Sequence, residues 1–274
     1  MKKIKVKEIV ATNIIELFEN ELVSKALKKI TSNRIHNIVV VNSDNSRSIL
    51  STTDILKNIL KEGWKNAKIS SLFRRPLKTI SEETSIVQAA ISMEEGDEIL
   101  GELDGSQKLY GVVTHRDISE ATEILKWQDE YSEELTAISV NSIIKRNSAI
   151  TADFQENLYD KLPELNASPT DCLIALKEQK PCGIITKRDI IRLLDSDKNL
   201  DVKIEEHMSS PLFTLEGKVS VSSALISMQN RHFRRAIVLD DNGLLAGLVS
   251  QKAIISIIYN HAAKRMWHFN ENSN

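Results

Sequence analysis

Apolar positions recur along this chain in a repeating arrangement. They fall at Val23, Ala26, Leu27 and Ile30, at Ile86, Ala89, Ala90 and Met93, and at Val221, Ala224, Leu225 and Met228. That is i, i+3, i+4, i+7, the spacing that lines one buried face of a helix. A fourth stretch departs from it, because Lys161 stands between Leu158 and Leu162. Each stretch is followed by a short apolar run, over 38–41, 99–103, 172–176 and 236–239, which has strand length. Turn residues come next, among them Asp104-Gly105 and Asp241-Asn242-Gly243, and they read as hairpin loops.

The second strand of each hairpin ends in a recognisable segment: SILSTTD (Ser48–Asp54), GVVTHRD (Gly111–Asp117), GIITKRD (Gly183–Asp189) and GLVSQKA (Gly247–Ala253). Each runs small residue, two apolar residues, hydroxyl residue, two polar residues, then Asp in all but the last. The hydroxyls are Ser51, Thr114, Thr186 and Ser250, at successive offsets of 63, 72 and 64. Such a rhythm marks internal repetition. The Asp opens a further helix, as at Asp189 before Ile190, Ile191, Leu193 and Leu194, and an Asp there is also a good N-cap. The unit is therefore helix, strand, strand, helix. Units this small finish a core by pairing, and the longer middle offset separates two pairs. The expected boundaries are 1–66 and 67–126 for the first pair, 127–136 for a connector, 137–199 and 200–262 for the second pair, and 263–274 for a polar tail.

Composition narrows the function. With 36 basic and 38 acidic residues among 274 the net charge is −2, which argues against a duplex-DNA or polybasic membrane binder. Nine glycines form neither GxGxxG nor a GxxxxGK[ST] loop, so the common glycine-rich phosphate cradles are missing. Cys172 and Cys182 cannot build a disulfide framework or a four-thiolate zinc site, and they read as packing residues. The six histidines show no HExxH, and His261 and His268 lack a third ligand, so no metal site is expected. Nor is there a GxSxG elbow, and the chain reads as non-catalytic. The longest apolar patch, Ala253–Tyr259, is interrupted by Ser256 and falls far short of the ~20 residues that span a bilayer. The basic start MKKIKVKEIV turns polar too soon for a secretory signal. A cytoplasmic protein is expected.

The four heptads, the helix before each, and the stretch Asn230–Asp240 (NRHFRRAIVLD) resemble CBS domains, the units named from cystathionine β-synthase. The resemblance covers nearly the whole chain. It implies an α/β (α+β) fold of four CBS units in two pseudo-twofold pairs, whose clefts bind adenosine-containing ligands. Asp117 and Asp189 would then accept hydrogen bonds from ribose hydroxyls, Thr114 and Thr186 would contact ribose or phosphate, and Thr79-Ile80 or Ala149-Ile150 would lie against adenine. Basic residues before the middle strand would hold phosphate, since charge-assisted hydrogen bonds to phosphate are the strong ones.

The units are unequal. The first has Ser48 for the family's Gly but keeps Ser51 and Asp54; the fourth keeps Gly247 and Ser250 but has Ala253 for Asp. Arg34 and His36 serve the first unit and Arg231 to Arg235 the fourth, while the second carries the acidic Glu94, Glu95, Asp97 and Glu98. If a phosphate tail points to the partner unit, Asp117 with Arg116 faces Arg34 and His36, and Asp189 with Arg188 faces Arg234 and Arg235. That gives one ligand per pair. The expected ligand is an adenine nucleotide (AMP, ADP or ATP); S-adenosylmethionine is disfavoured because arginines repel its sulfonium. No cofactor is required, and a homodimer through CBS pairs and a separate effector are expected. The rival reading is a ligand-free scaffold for protein–protein contact. A nucleic-acid role for the arginine patch is disfavoured, for it lacks interleaved aromatics.

Overall fold

The computed structural model describes residues 4–94, 99–103, 108–121, 136–144, 149–168 and 170–257. The acidic run at 95–98, the Asp104-Gly105 turn, nearly all of the 127–136 connector, the tail, Trp127, Trp267, His261 and His268 lie outside them. The first unit comprises β1 (Glu16–Phe18), α1 (Val23–Asn33), β2 (Asn37–Val41), β3 (Arg47–Ser51), α2 (Thr52–Leu56) and a late strand β4 (Arg75–Pro76). The second has β5 (Thr79–Ser81), α3 (Ile86–Glu94), β6 (Ile99–Leu103), β7 (Leu109–Thr114) and α4 (His115–Glu120). The third has β8 (Ile150–Asp153), α5 (Leu158–Ala167), β9 (Cys172–Lys177), β10 (Lys180–Thr186) and α6 (Lys187–Asp195). The fourth has β11 (Thr214–Glu216), α7 (Val221–Asn230), β12 (Arg235–Leu239) and β13 (Leu245–Ser250), then helical residues 251–257, here α8. Every unit is a small sheet in which the leading strand runs parallel to the middle one and the hairpin is antiparallel.

The helix faces read from periodicity are the buried ones: Val23, Ala26, Leu27 and Ile30 are all at most 2% exposed, and α3 and α7 bury their counterparts. The third unit forms its helix despite Lys161. Leu158, Leu162 and Leu165 are buried, while the Lys161 ammonium pairs with Glu156 at 2.9 Å and lies 3.9 Å from Glu164.

Each sheet is crossed by a chain segment that leads into the other unit of its pair. Residues 4–11 precede the first unit but lie on the second, where Val6 donates to the Thr84 carbonyl and Ala11 bridges to Val112. Residues 64–76 precede the second unit but lie on the first, through Val23 N–H to Ala67 and the β3–β4 ladder. Residues 139–144 and 202–209 repeat this exchange in the second pair. The exchange explains the small residue of the heptads. A Cβ on Gly111 would stand 2.6 Å from Val10 Cγ2, and one on Gly183 would collide with the Met208 side chain.

Within the first pair the sheets meet face to face, with Val39, Ile49 and Ile99 in one apolar cluster. The helix faces bury themselves differently. One large core joins the first and third units and another joins the second and fourth, so the two pairs pack helix to helix within one chain. Polar contacts reinforce the first of these. Thr31 Oγ1 donates to Asp195 Oδ2 at 2.5 Å, Lys65 reaches the Leu194 carbonyl at 2.8 Å and pairs with Asp197, and Asn166 Nδ2 donates to the Leu56 carbonyl at 2.9 Å. A homodimer would therefore have to use surfaces other than these helix faces.

Candidate functional site

The heptad builds a fixed turn at the start of each closing helix. Its hydroxyl residue, and not the Asp as the sequence suggested, is the N-cap; the Asp stands three residues on and completes a capping box. In the second unit Asp117 Oδ2 accepts from the Thr114 backbone N–H at 2.8 Å and its hydroxyl at 2.6 Å. In the third, Asp189 Oδ2 accepts from Thr186 at 2.9 and 2.6 Å. The cap consumes one carboxylate oxygen. Oδ1 of Asp117 makes no hydrogen bond among the described residues, and Oδ1 of Asp189 has only a long 3.5 Å contact from Arg192 Nη1. A carboxylate has acceptor capacity to spare in this arrangement, so the same Asp can cap a helix and accept from a ligand hydroxyl. Asp54 forms the same box with Ser51 but is only 5% exposed, whereas Asp117 and Asp189 are half-buried. In the fourth unit the Ser250 hydroxyl still accepts from Ala253 N–H at 3.1 Å, with no carboxylate opposite.

The basic side chains gather across the pairs. His36 Nε2, from the first unit, contacts Arg188 Nη2 of the third and lies 3.3 Å from Arg234 Nη1 of the fourth. Arg192 and Arg116 are within electrostatic reach of Arg188, and Arg116 also acts on Arg234. Burial, then repulsion from Arg234, Arg192 and Arg116, brings Arg188 down to about 10 despite the opposing charge of Asp189. His36 is pushed down to about 3, by burial first and then by Arg188, Arg234, Arg235 and Arg192. The imidazole is neutral at ordinary pH. Arg188 Nε is buried without a hydrogen-bond partner among the described residues. Such a cluster of like charge is poorly compensated from within and suits an anion.

Other expected residues lie elsewhere. Arg116 is in an exposed ion pair with Glu120 at 2.8 Å. Arg235 is held by Asp171, which occupies the third unit's equivalent of His36 and Arg234. Arg34 is exposed in a left-handed helix-capping conformation, its backbone N–H donating to the Thr31 carbonyl, and its guanidinium makes no hydrogen bond or ion pair among the described residues. Thr79 is exposed, Ile80 packs against the core shared by the second and fourth units, and Ile150 is buried in the other. The expected grouping of Arg34 and His36 with Asp117 is therefore replaced by one in which His36 joins the second pair. No local pattern announced this, because it depends on how the pairs pack. Arg192 was missed for a simpler reason: it lies on a helix face that reads as solvated. Both thiols are free, and burial pushes them up.

Comparison with known proteins gives a consistent picture. A CBS-domain family model matches residues 6–61, 69–123 and 203–260; the third unit, outside those segments, has the same strand order and the same cap. The uncharacterized protein MK0525 of Methanopyrus kandleri is 29% identical over 126 residues, 45% of this chain and 64% of that protein. The chain thus spans less than two thirds of this relative. Among solved structures, protein MJ1225 of Methanocaldococcus jannaschii superposes with a TM-score of 0.74 at 19% identity, over 93% of this chain and 99% of that one. An uncharacterized conserved protein of Pyrococcus horikoshii does so with 0.61 at 18% identity, over 93% and 100%. At such identities the likeness is one of fold.

Proposed function

The chain belongs to the CBS-domain family, and on that premise we propose that it is a non-catalytic sensor of adenine nucleotides, with phosphates read by Arg188 and Arg234 of the second pair beside His36 of the first. The observation that carries this reading is the meeting of His36, Arg188 and Arg234 beside the half-buried Asp189. Asp117 and Asp189 are the ribose anchors, one per pair, and the cluster between them takes the phosphates. MJ1225, whose fold this chain shares, has itself been proposed as an archaeal homologue of g-AMPK. Binding becomes a signal only if ligand favours one geometry over another. A phosphate bridging Arg188, Arg234 and His36 does so, because the histidine of the first pair meets the two arginines of the second only when the pairs are closed. The altered state passes to a partner or attached effector. No helix among the described residues is long and apolar enough to cross a membrane.

The scaffold reading draws on two observations: Asp54 is buried and Ala253 offers no carboxylate. Titration separates the readings. Adenosine, AMP, ADP, ATP, S-adenosylmethionine and cyclic di-AMP are added to nucleotide-free protein while unfolding is followed. A ligand at 100 times its Kd stabilises by about 2.7 kcal/mol. The sensor reading expects phosphorylated ligands to outperform adenosine and S-adenosylmethionine, with binding lost in Asp117→Ala/Asp189→Ala. Arg188→Ala should weaken AMP about tenfold or more, the scale of a lost charge-assisted hydrogen bond. No stabilisation by any of the six leaves the scaffold.

A further inference from the structure

Between the second and fourth units lies a cavity of about 350 Å³, apart from the His36–Arg188 cluster and not used by the reading above. Ala90, Ala253 and Ile255 contribute its apolar wall, and His115, Ser250, Lys252 and Ser256 its polar one. Three of these, His115, Ser250 and Lys252, share one feature: each side chain can donate, and none has an acceptor among the described residues. In the other three units the heptad hydroxyl donates to the motif carboxylate, at 2.5, 2.6 and 2.6 Å. Ser250 has no such acceptor, since Ala253 stands where the carboxylate would be. The exposed Lys252 ammonium makes no hydrogen bond or ion pair among the described residues, and His115 Nε2 is buried with no hydrogen-bond partner among them. A buried polar atom left as His115 Nε2 is left is uncommon and calls for an occupant.

We propose that this cavity binds the carboxylate of a small organic acid, the ligand's own oxygens standing where the other units carry an Asp side chain. The charge balance selects the class. Burial, and then Lys252, pushes His115 down to about 4, so the wall carries one formal positive charge, on Lys252, among neutral polar groups. That matches a monoanion better than a phosphate dianion. The apolar wall suits a short hydrocarbon body, and the volume is within the range of small-molecule sites.

The test uses the full chain with ¹⁵N-labelled histidine, the His115 ring being assigned by its loss in His115→Gln. Sodium butyrate, inorganic phosphate and sodium chloride are titrated at matched ionic strength. Butyrate should shift the His115 resonances saturably and raise their titration midpoint, while chloride should not. Lys252→Ala, an exposed substitution that leaves the core intact, should weaken butyrate about tenfold. Ala253→Asp supplies a built-in carboxylate and should abolish the response while unfolding at a higher temperature than wild type. A response to phosphate alone, no saturable response to either anion, or undiminished butyrate binding in Lys252→Ala overturns the proposal. So does undiminished butyrate binding in a folded Ala253→Asp protein.

Discussion

Glu102 is the residue whose chemistry fits its surroundings least. It is 1% exposed, and neither carboxylate oxygen has a hydrogen-bond partner among the described residues. Directly opposite residues of an antiparallel pair share a face. Glu102 lies opposite Gly111, so it sits beneath the Val10–Ala11 crossing that makes Gly111 necessary. Units one, three and four carry Val40, Ala175 and Val238 at this register, all apolar and all buried. Burial, with help from Glu82 and against Lys7, raises the Glu102 pKa. The folded protein therefore holds this proton more tightly than the unfolded chain. The cost is absent below the unfolded value and appears as pH rises through the folded one. Glu102→Val should stabilise the protein at pH 7 by roughly 1–3 kcal/mol, with the gain shrinking towards pH 4. Urea unfolding at both pH values checks it, and a gain independent of pH would assign the effect to packing alone.

At the scale of elements, the exchanged segments make a sharper prediction than the helices do. Gly183 lies where residues 203–209 cross β10, with Met208 against it. Gly183→Val should cost about 1–3 kcal/mol by overpacking, and Gly183→Val/Met208→Ala should recover part of it. Gly243 makes the control: it has φ of 76° and nothing within 4 Å of its Cβ position, so Gly243→Asn should change stability by only a few tenths of a kcal/mol. Equal effects at both glycines would remove the crossing as the cause. These cases also mark what could be read from sequence. The helix faces, hairpins and the turn at each heptad follow from local periodicity and residue type, so α1, α3 and α7 were legible, while the cap itself fell to Ser51, Thr114 and Thr186 instead of the Asp read for it. Lys161 hid α5 only because a surface pairing with Glu156 is invisible to a hydrophobic pattern. The crossings were not legible, since residues 4–11 and 139–144 satisfy hydrogen bonds about 80 to 100 positions away. Nor was the junction of His36 with Arg188, 152 residues apart.

The molecule as a whole is closed by two interfaces between the pairs, and each contains a histidine kept neutral. His36 is pushed down to about 3 beside Arg188 and Arg234, and His115 to about 4 near Lys252. Both rings take up protons on unfolding below the ordinary histidine value. Stability is therefore fully present above about pH 6.5 and is lost as pH falls towards the folded values, by at most about 1.4 kcal/mol per pH unit for each ring. Carboxylates add slopes of their own, so the informative quantity is the difference between wild type and single variants. His36→Gln and His115→Gln should each flatten stability between pH 6.5 and 5, and their effects should add, since the rings serve different interfaces. Nucleotide makes the test specific. A phosphate among Arg188, Arg234 and His36 offsets the arginine field and raises the His36 pKa, so saturating AMP should flatten the wild-type slope by the His36 share. In His36→Gln the same AMP should still stabilise, but its effect on the slope should shrink to what the titration of the phosphate itself at about pH 6 contributes. An AMP effect on slope undiminished in His36→Gln would place the phosphate elsewhere, and the two pairs would then not share a phosphate site.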